Sequence, residues 1–241
     1  MKNKKFLFCL LAAITALVLA SCASVGTVQS RLEDDQFKMQ NLPVRTLRVC
    51  VVTDPGRKKD SVAGLLREVS LSLAEQVGIR LETVMTADMT FETSGQDGMI
   101  NQLYKKVFAR RSDFDIAIAF TSFSTGDYLL KLLSLVTVPL PVWHGAIDDT
   151  YRRYIVVKSL DKQVLIHEIF HAFIFARAHG GGVMRAVSLQ PLPFMRPVGT
   201  TVFLTESDRK EVLLNKWRNF SEPATIAKAE PTGAESSIIW H

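Results

Sequence analysis

The sequence predicts an α/β fold built on a sheet with parallel members, and three observations predict it. Strand-like apolar runs alternate with helix-like stretches from Thr46 to Phe120. A stretch without Gly or Pro, Asp161 to Ala178, is apolar nearly all round and reads as a buried helix. The composition, 241 residues with 47% hydrophobic content and three cysteines, excludes a disordered, collagenous or disulfide-stapled chain.

The N-terminal segment stands apart from the fold. Met1-Lys2-Asn3-Lys4-Lys5 is basic and Phe6 to Ala20 is apolar, the layout of a secretory signal peptide too short to span a bilayer comfortably. It ends in Leu19-Ala20-Ser21-Cys22, which resembles the lipobox of bacterial lipoproteins. That resemblance implies that residues 1–21 are a signal peptide and that the Cys22 thiol carries lipid. Several acyl chains on one cysteine hold a protein to a membrane without spanning it. An ordinary signal peptide or an uncleaved anchor are the other readings. Ala23 after the cysteine resembles the outer-membrane sorting signal of a Gram-negative host, so the expected location is the bacterial cell envelope. Residues 22–44 are polar and mixed in charge and read as a tether.

The domain follows. Thr46 to Thr53 is a β-branched run that stops at the turn signal Asp54-Pro55-Gly56, and Val62, Leu65, Leu66, Val69, Leu73 and Val77 then mark an amphipathic helix. Ile79 to Val84 reads as a second strand, Ile100 to Arg110 as a helix, and Asp115 to Phe120 as a third, buried strand. Val136-Thr137-Val138-Pro139 favours an edge strand ending at proline, and Tyr154 to Lys158 a further strand. After the Asp161–Ala178 helix, Gly180-Gly181-Gly182 and three prolines make an irregular stretch; a last helix spans Thr205 to about Phe220, and 221–241 read as a loose tail.

The buried helix contains His167-Glu168-Ile169-Phe170-His171, an HExxH motif. Histidines four apart share a helical face, so both imidazoles reach one Zn²⁺, while the glutamate lies beside the attacking water. Burying these three groups in an apolar helix without partners is costly, and a metal offsets that cost. A catalytic zinc keeps three protein ligands, and His179 is the candidate third, provided the chain turns at or before it. A carboxylate such as Glu206 or Glu211, or a two-ligand site without activity, are the alternatives. Histidines bonded to carbonyls, with Glu168 paired to Lys162 or Arg177, are the reading without a metal.

These residues resemble the metzincin superfamily of zinc peptidases, whose signature is HExxHxxGxxH followed by a Met-turn. His167, Glu168 and His171 match it, as does the order of elements; Met184 resembles the Met-turn and the Glu206–Phe220 helix the one that closes small metzincin domains. Ile174 and Arg177 stand where the signature has Gly and His, and a spacing two residues longer places His179 as ligand. The resemblance covers roughly 45–220. It implies a mixed, mostly parallel sheet with an edge strand, an active-site helix and a C-terminal helix, and a peptide substrate lying against the edge near Val136 to Val138.

Other chemistries find no support. Removing residues 1–21 takes Lys2, Lys4 and Lys5 from a net +5 and leaves +2. Arg57-Lys58-Lys59, Arg110-Arg111 and Arg152-Arg153 lack interleaved aromatics and read as solvated faces, so nucleic acid is not an expected partner. Cys50, in an apolar run, reads as a small buried hydrophobe, and His144 as a surface-loop residue. Asp54-Pro55-Gly56 lacks phosphate-cradling glycine spacing, and no serine has G-x-S-x-G context. The expected function is a lipid-anchored zinc endopeptidase with Glu168 as general base, acting on a peptide or protein. The alternative is a non-catalytic envelope lipoprotein that retains the fold for binding or assembly.

Overall fold

The computed structural model describes residues 42–134, 143–175, 182–184 and 201–229. Strands β1 (Arg45–Thr53), β2 (Ile79–Asp88), β3 (Ile116–Phe120), β4 (Gly145–Ile147) and β5 (Tyr154–Val157) are interleaved with five helices. These are α1 (Lys59–Val77), α2 (Gln96–Val107), α3 (Thr125–Ser134), α4 (Lys162–Phe170) and α5 (Glu206–Asn215). The strands form one sheet in the order β2-β1-β3-β5-β4. Every neighbouring pair is parallel except β4 with β5. The fold is therefore mixed α/β with a mostly parallel sheet, as the alternation predicts.

Strand periodicity sorts the core into two layers. In β3, Ile116, Ile118 and Phe120 join the apolar face shared with α1, α4 and α5, while Ala117 and Ala119 face α2. The bulky face builds the larger core. The alanines let Met99, Leu103 and Val107 of α2 approach the sheet closely on the other side. Cys50 lies fully buried in that second layer, and burial pushes its thiol up to about 12, as befits a packing residue and not a nucleophile.

Several boundaries differ from expectation. The second strand runs four residues further, to Asp88, with a register shift at Val49/Cys50. Helix α2 starts one turn early, at Gln96, and Phe108–Arg110 tightens into a 3-10 turn. Helix α3 lies between the strands expected at Asp115–Phe120 and Val136–Pro139. The antiparallel edge strand in the structure is the three-residue β4; Val136 to Val138 lie outside the described residues, as do residues 1–41 with Cys22. The C-terminal helix is shorter than Thr205–Phe220, with Thr205 as its cap: its hydroxyl accepts the Asp208 amide. Beyond it, the Ala224 amide donates to the Thr150 carbonyl, and the Asn215 side chain bonds both backbone groups of Ala227.

The largest difference concerns the buried helix. The composition predicts helix to Ala178, yet α4 ends at Phe170 with His171 as its C-cap. No glycine or proline ends it; competing donors and acceptors from distant residues do.

Candidate metal centre

Helix α4 is fastened at its start by the Asp161 carboxylate, which accepts the amides of Gln163 (2.8 Å) and Val164 (3.3 Å). Val164, Leu165, Ile166, Ile169 and Phe170 are buried around its circumference, so the helix has little rotational freedom. His171 keeps right-handed helical backbone (φ −56°, ψ −20°), which preserves the four-residue spacing to His167 past the formal helix end. The two Nε2 atoms lie 3.1 Å apart, with rings nearly perpendicular at 85°.

The other nitrogen of His167 sets its tautomer. Nδ1 lies 2.8 Å from the carbonyl oxygen of Val183, which only accepts, so Nδ1 carries the proton and Nε2 presents its lone pair. Two ligands of one tetrahedral zinc at ordinary Zn–N lengths stand about 3.3 Å apart, so the imidazole spacing fits such an ion. Val183 sits in the 3-10 turn Gly182–Met184, tied down by its amide on the Phe203 carbonyl at 2.7 Å. Met184 is buried in the same turn, among the large core cluster.

Glu168, the residue after His167, lies against the edge strand. A Cβ on Gly145 would fall 2.6 Å from both Cγ and Oε1 of Glu168, so β4 approaches the carboxylate only because residue 145 has no side chain. Burial pushes the Glu168 carboxyl up to about 8. A cation held at the histidines works in the opposite direction and favours the carboxylate. His144, beside Gly145, is half-buried and stacks edge-on against Phe123 at 5.2 Å.

The turn after His171 is clamped by a polar collar. The Arg152 guanidinium donates to the carbonyls of His171 (3.2 Å), Ile174 and Phe175 (3.4 Å). Arg218 donates to Ala172 O (3.3 Å) and Tyr151 O (2.6 Å). From α5, Glu211 accepts the Phe175 amide (2.8 Å) and Asn215 donates to Phe173 O (2.9 Å). Cations on the last carbonyls of a helix also complement its dipole. Together these bonds replace continued helix, which is why α4 stops short.

Arg152 reaches this position from left-handed backbone (φ 48°), a costly conformation for a residue with a Cβ. Asp148 sustains it: its carboxylate accepts the amides of Tyr151, Arg152, Arg153 and Tyr154 at 2.6 to 3.1 Å. Arg153 is likewise buried and donates to Phe220 O and Arg111 O, both at 2.9 Å, and to Phe114 O. Arg152-Arg153 is thus not the solvated face that its charge suggested.

A second polar anchor lies on the far side of β4. The fully buried Lys158 ammonium pairs with Asp127 (2.8 Å) and sits 3.9 Å from the Trp143 ring centre. Burial works to raise the Asp127 carboxyl, but Lys158 and the amide and hydroxyl of Ser124 outweigh it and hold it below the usual range. This pair pins α3 and the approach to β4 against the end of β5.

The structure therefore brings His167 and His171 together and seats Glu168 against Gly145 of the edge strand. His179 and Arg177 lie outside the described residues. Among the described residues, no group of three or more His, Cys, Asp or Glu is gathered to hold a metal. Neither alternative carboxylate joins the pair: Glu211 is engaged by Phe175, and Glu206 faces Lys210 at 3.9 Å on an exposed helix turn. Sequence reasoning missed Val183, Gly145, Arg152 and Arg218. A glycine within a strand is a signal of close backbone approach and could have marked Gly145; the others act through contacts distant in sequence.

No protein-family model and no curated protein matches this chain. Among solved structures, it is similar to archaemetzincin from Methanopyrus kandleri, at 13% identity and a TM-score of 0.46, covering 72% of this chain and 97% of that one. It is also similar to a chain from a chaperone–substrate complex, at 13% identity and a TM-score of 0.47. That match covers 71% of this chain, which spans only 34% of the other's length. Likeness at this level does not assign an activity.

Proposed function

We propose that the chain is a zinc-dependent endopeptidase held at the bacterial cell envelope through a lipidated Cys22. The observation that carries the reading is the pair of imidazole Nε2 atoms 3.1 Å apart, one fixed in tautomer by Val183, with the Glu168 carboxylate seated against β4. His167 and His171, with His179 as third ligand, would hold the zinc, which supplies a Lewis acid for the scissile carbonyl and acidifies the attacking water.

The chain's own residues do the rest. Glu168 takes the proton from the water and returns it to the leaving amine. Its buried position excludes bulk water from that transfer. Among the described residues, strand β4 is the last strand of the sheet, and its outer edge offers backbone groups to an extended peptide passing Glu168. Met184 supports the histidine floor as a Met-turn.

Metal content of the purified protein and of His179→Ala tests the ligand set: one zinc per chain, lost in the variant, is expected. Cleavage of a peptide mixture tests the chemistry. Glu168→Gln should retain zinc and lose on the order of 10³-fold in activity, with the general base removed. Undiminished cleavage by that variant overturns the mechanism. Ile174 and Arg177, standing where the signature has Gly and His, favour a second reading, a retired peptidase scaffold that works by binding. Zinc without cleavage would select it.

A further inference from the structure

On the sheet edge farthest from the histidines, α1 and β2 enclose an open groove of about 560 Å³. Its walls are apolar, with Leu66, Leu71, Ala74 and Leu81, and Arg67 and Arg80 stand at its rim. Leu71 is 62% exposed there. Among the described residues, neither arginine forms a salt bridge. The Ser70 hydroxyl already takes the Leu81 amide at 2.9 Å, so the groove is built to receive side chains and not another strand at that point.

The chain itself arrives at the foot of this groove. Pro43 and Leu42 press on Gly78, where a Cβ would lie 2.9 Å from the Pro43 carbonyl and 3.0 Å from Leu42 Cβ, and the buried Lys216 ammonium donates to that carbonyl. Gly78 adopts left-handed backbone (φ +66°) between α1 and β2, and its amide donates to the Ala74 carbonyl, so Leu42 touches the chain just past the end of α1. The residues just upstream carry what the groove lacks: Phe37 and Met39 are apolar, and Glu33-Asp34-Asp35 are acidic. The seven steps of chain from Asp35 to Leu42 reach about 23 Å when extended. Arg67 stands about 16 Å along α1 from Gly78 at the helical rise, so the acidic run reaches it.

We propose that residues 23–41 fold back into the α1/β2 groove, with Phe37 and Met39 on its leucines and Glu33-Asp34-Asp35 against Arg67 and Arg80. The occupant is intramolecular, and the segment acts as a strap that sets how far the domain stands from its attachment point. This inference is independent of the peptidase reading, because it involves no residue of the metal centre.

Chymotrypsin cleavage after Phe37, followed by mass spectrometry, tests it on the whole protein. Arg67→Glu with Arg80→Glu should speed that cut at least tenfold, and so should Glu33→Lys, Asp34→Lys and Asp35→Lys together, which leave the folded domain untouched. Combining both sets should restore protection. Equal cleavage rates in the wild type and all variants overturn the proposal. So does protection that grows with protein concentration, which would place a second copy in the groove.

Discussion

At its N-terminal end, α4 is held by one carboxylate cap and by apolar side chains pressed against α1 and the sheet; beyond its C-terminal end, Ala172, Phe173 and Ile174 are buried in the same core, and polar side chains bind the backbone in addition. There, two arginines, a glutamate and an asparagine bind five consecutive residues, His171 to Phe175, by their backbone groups. The difference lies in how each end resists change. Apolar packing is non-directional and degrades gradually, whereas a collar of hydrogen bonds to carbonyls fixes position and fails when one member leaves polar groups unpaired. The candidate metal centre sits at the boundary, with His167 within the packed helix and His171 at the start of the collared turn.

The comparison can be broken from either side. Phe170→Ala, in the apolar packing of α4, should cost about 3–5 kcal/mol of stability by leaving a cavity, measured by denaturant unfolding. Arg152→Met should cost about 3 kcal/mol by unpairing buried carbonyls. The collar variant should also weaken zinc binding in a chelator competition more than Phe170→Ala does, and equal weakening by both would erase the distinction between the two ends.

Gly145→Ala probes the third contact of the centre. The added Cβ displaces Glu168, and a misplacement of about 1 Å costs on the order of 10² in kcat. Zinc content should be unchanged and KM little affected.

The smallest effect is expected at Asp127. Its native carboxyl lies below 3.8, so the pair with Lys158 contributes stability fully above that value and loses it as pH falls through the depressed native value. Acid unfolding followed by tryptophan fluorescence should show this component, and Asp127→Asn with Lys158→Met should lack it.

The same contrast explains what was legible in the sequence. β1, α1, β2, β3 and β5 announce themselves through local period and the Asp54-Pro55-Gly56 turn, because each is made by residues near one another in the chain. His167, Glu168 and His171 are legible for the same reason, as a five-residue motif. The end of α4 is not, since it is decided by Arg152 and Arg218, 19 and 46 residues from their carbonyl partners His171 and Ala172. Arg152-Arg153 looks solvated because charge suggests water, and nothing local reveals a buried carbonyl cluster. Strand β4 has three residues, too few to show a period.

The collar also has a consequence for the order in which the protein is made. Glu211, Asn215 and Arg218 leave the ribosome after the HExxH segment, so a nascent chain that has reached only residue 200 has both imidazoles and Arg152 but lacks the other three members of the clamp on the turn behind His171. The collar is complete only when the last stretch of the domain emerges; under the proposed function, metal uptake would then follow completion of synthesis, and a half-made chain would stay inactive.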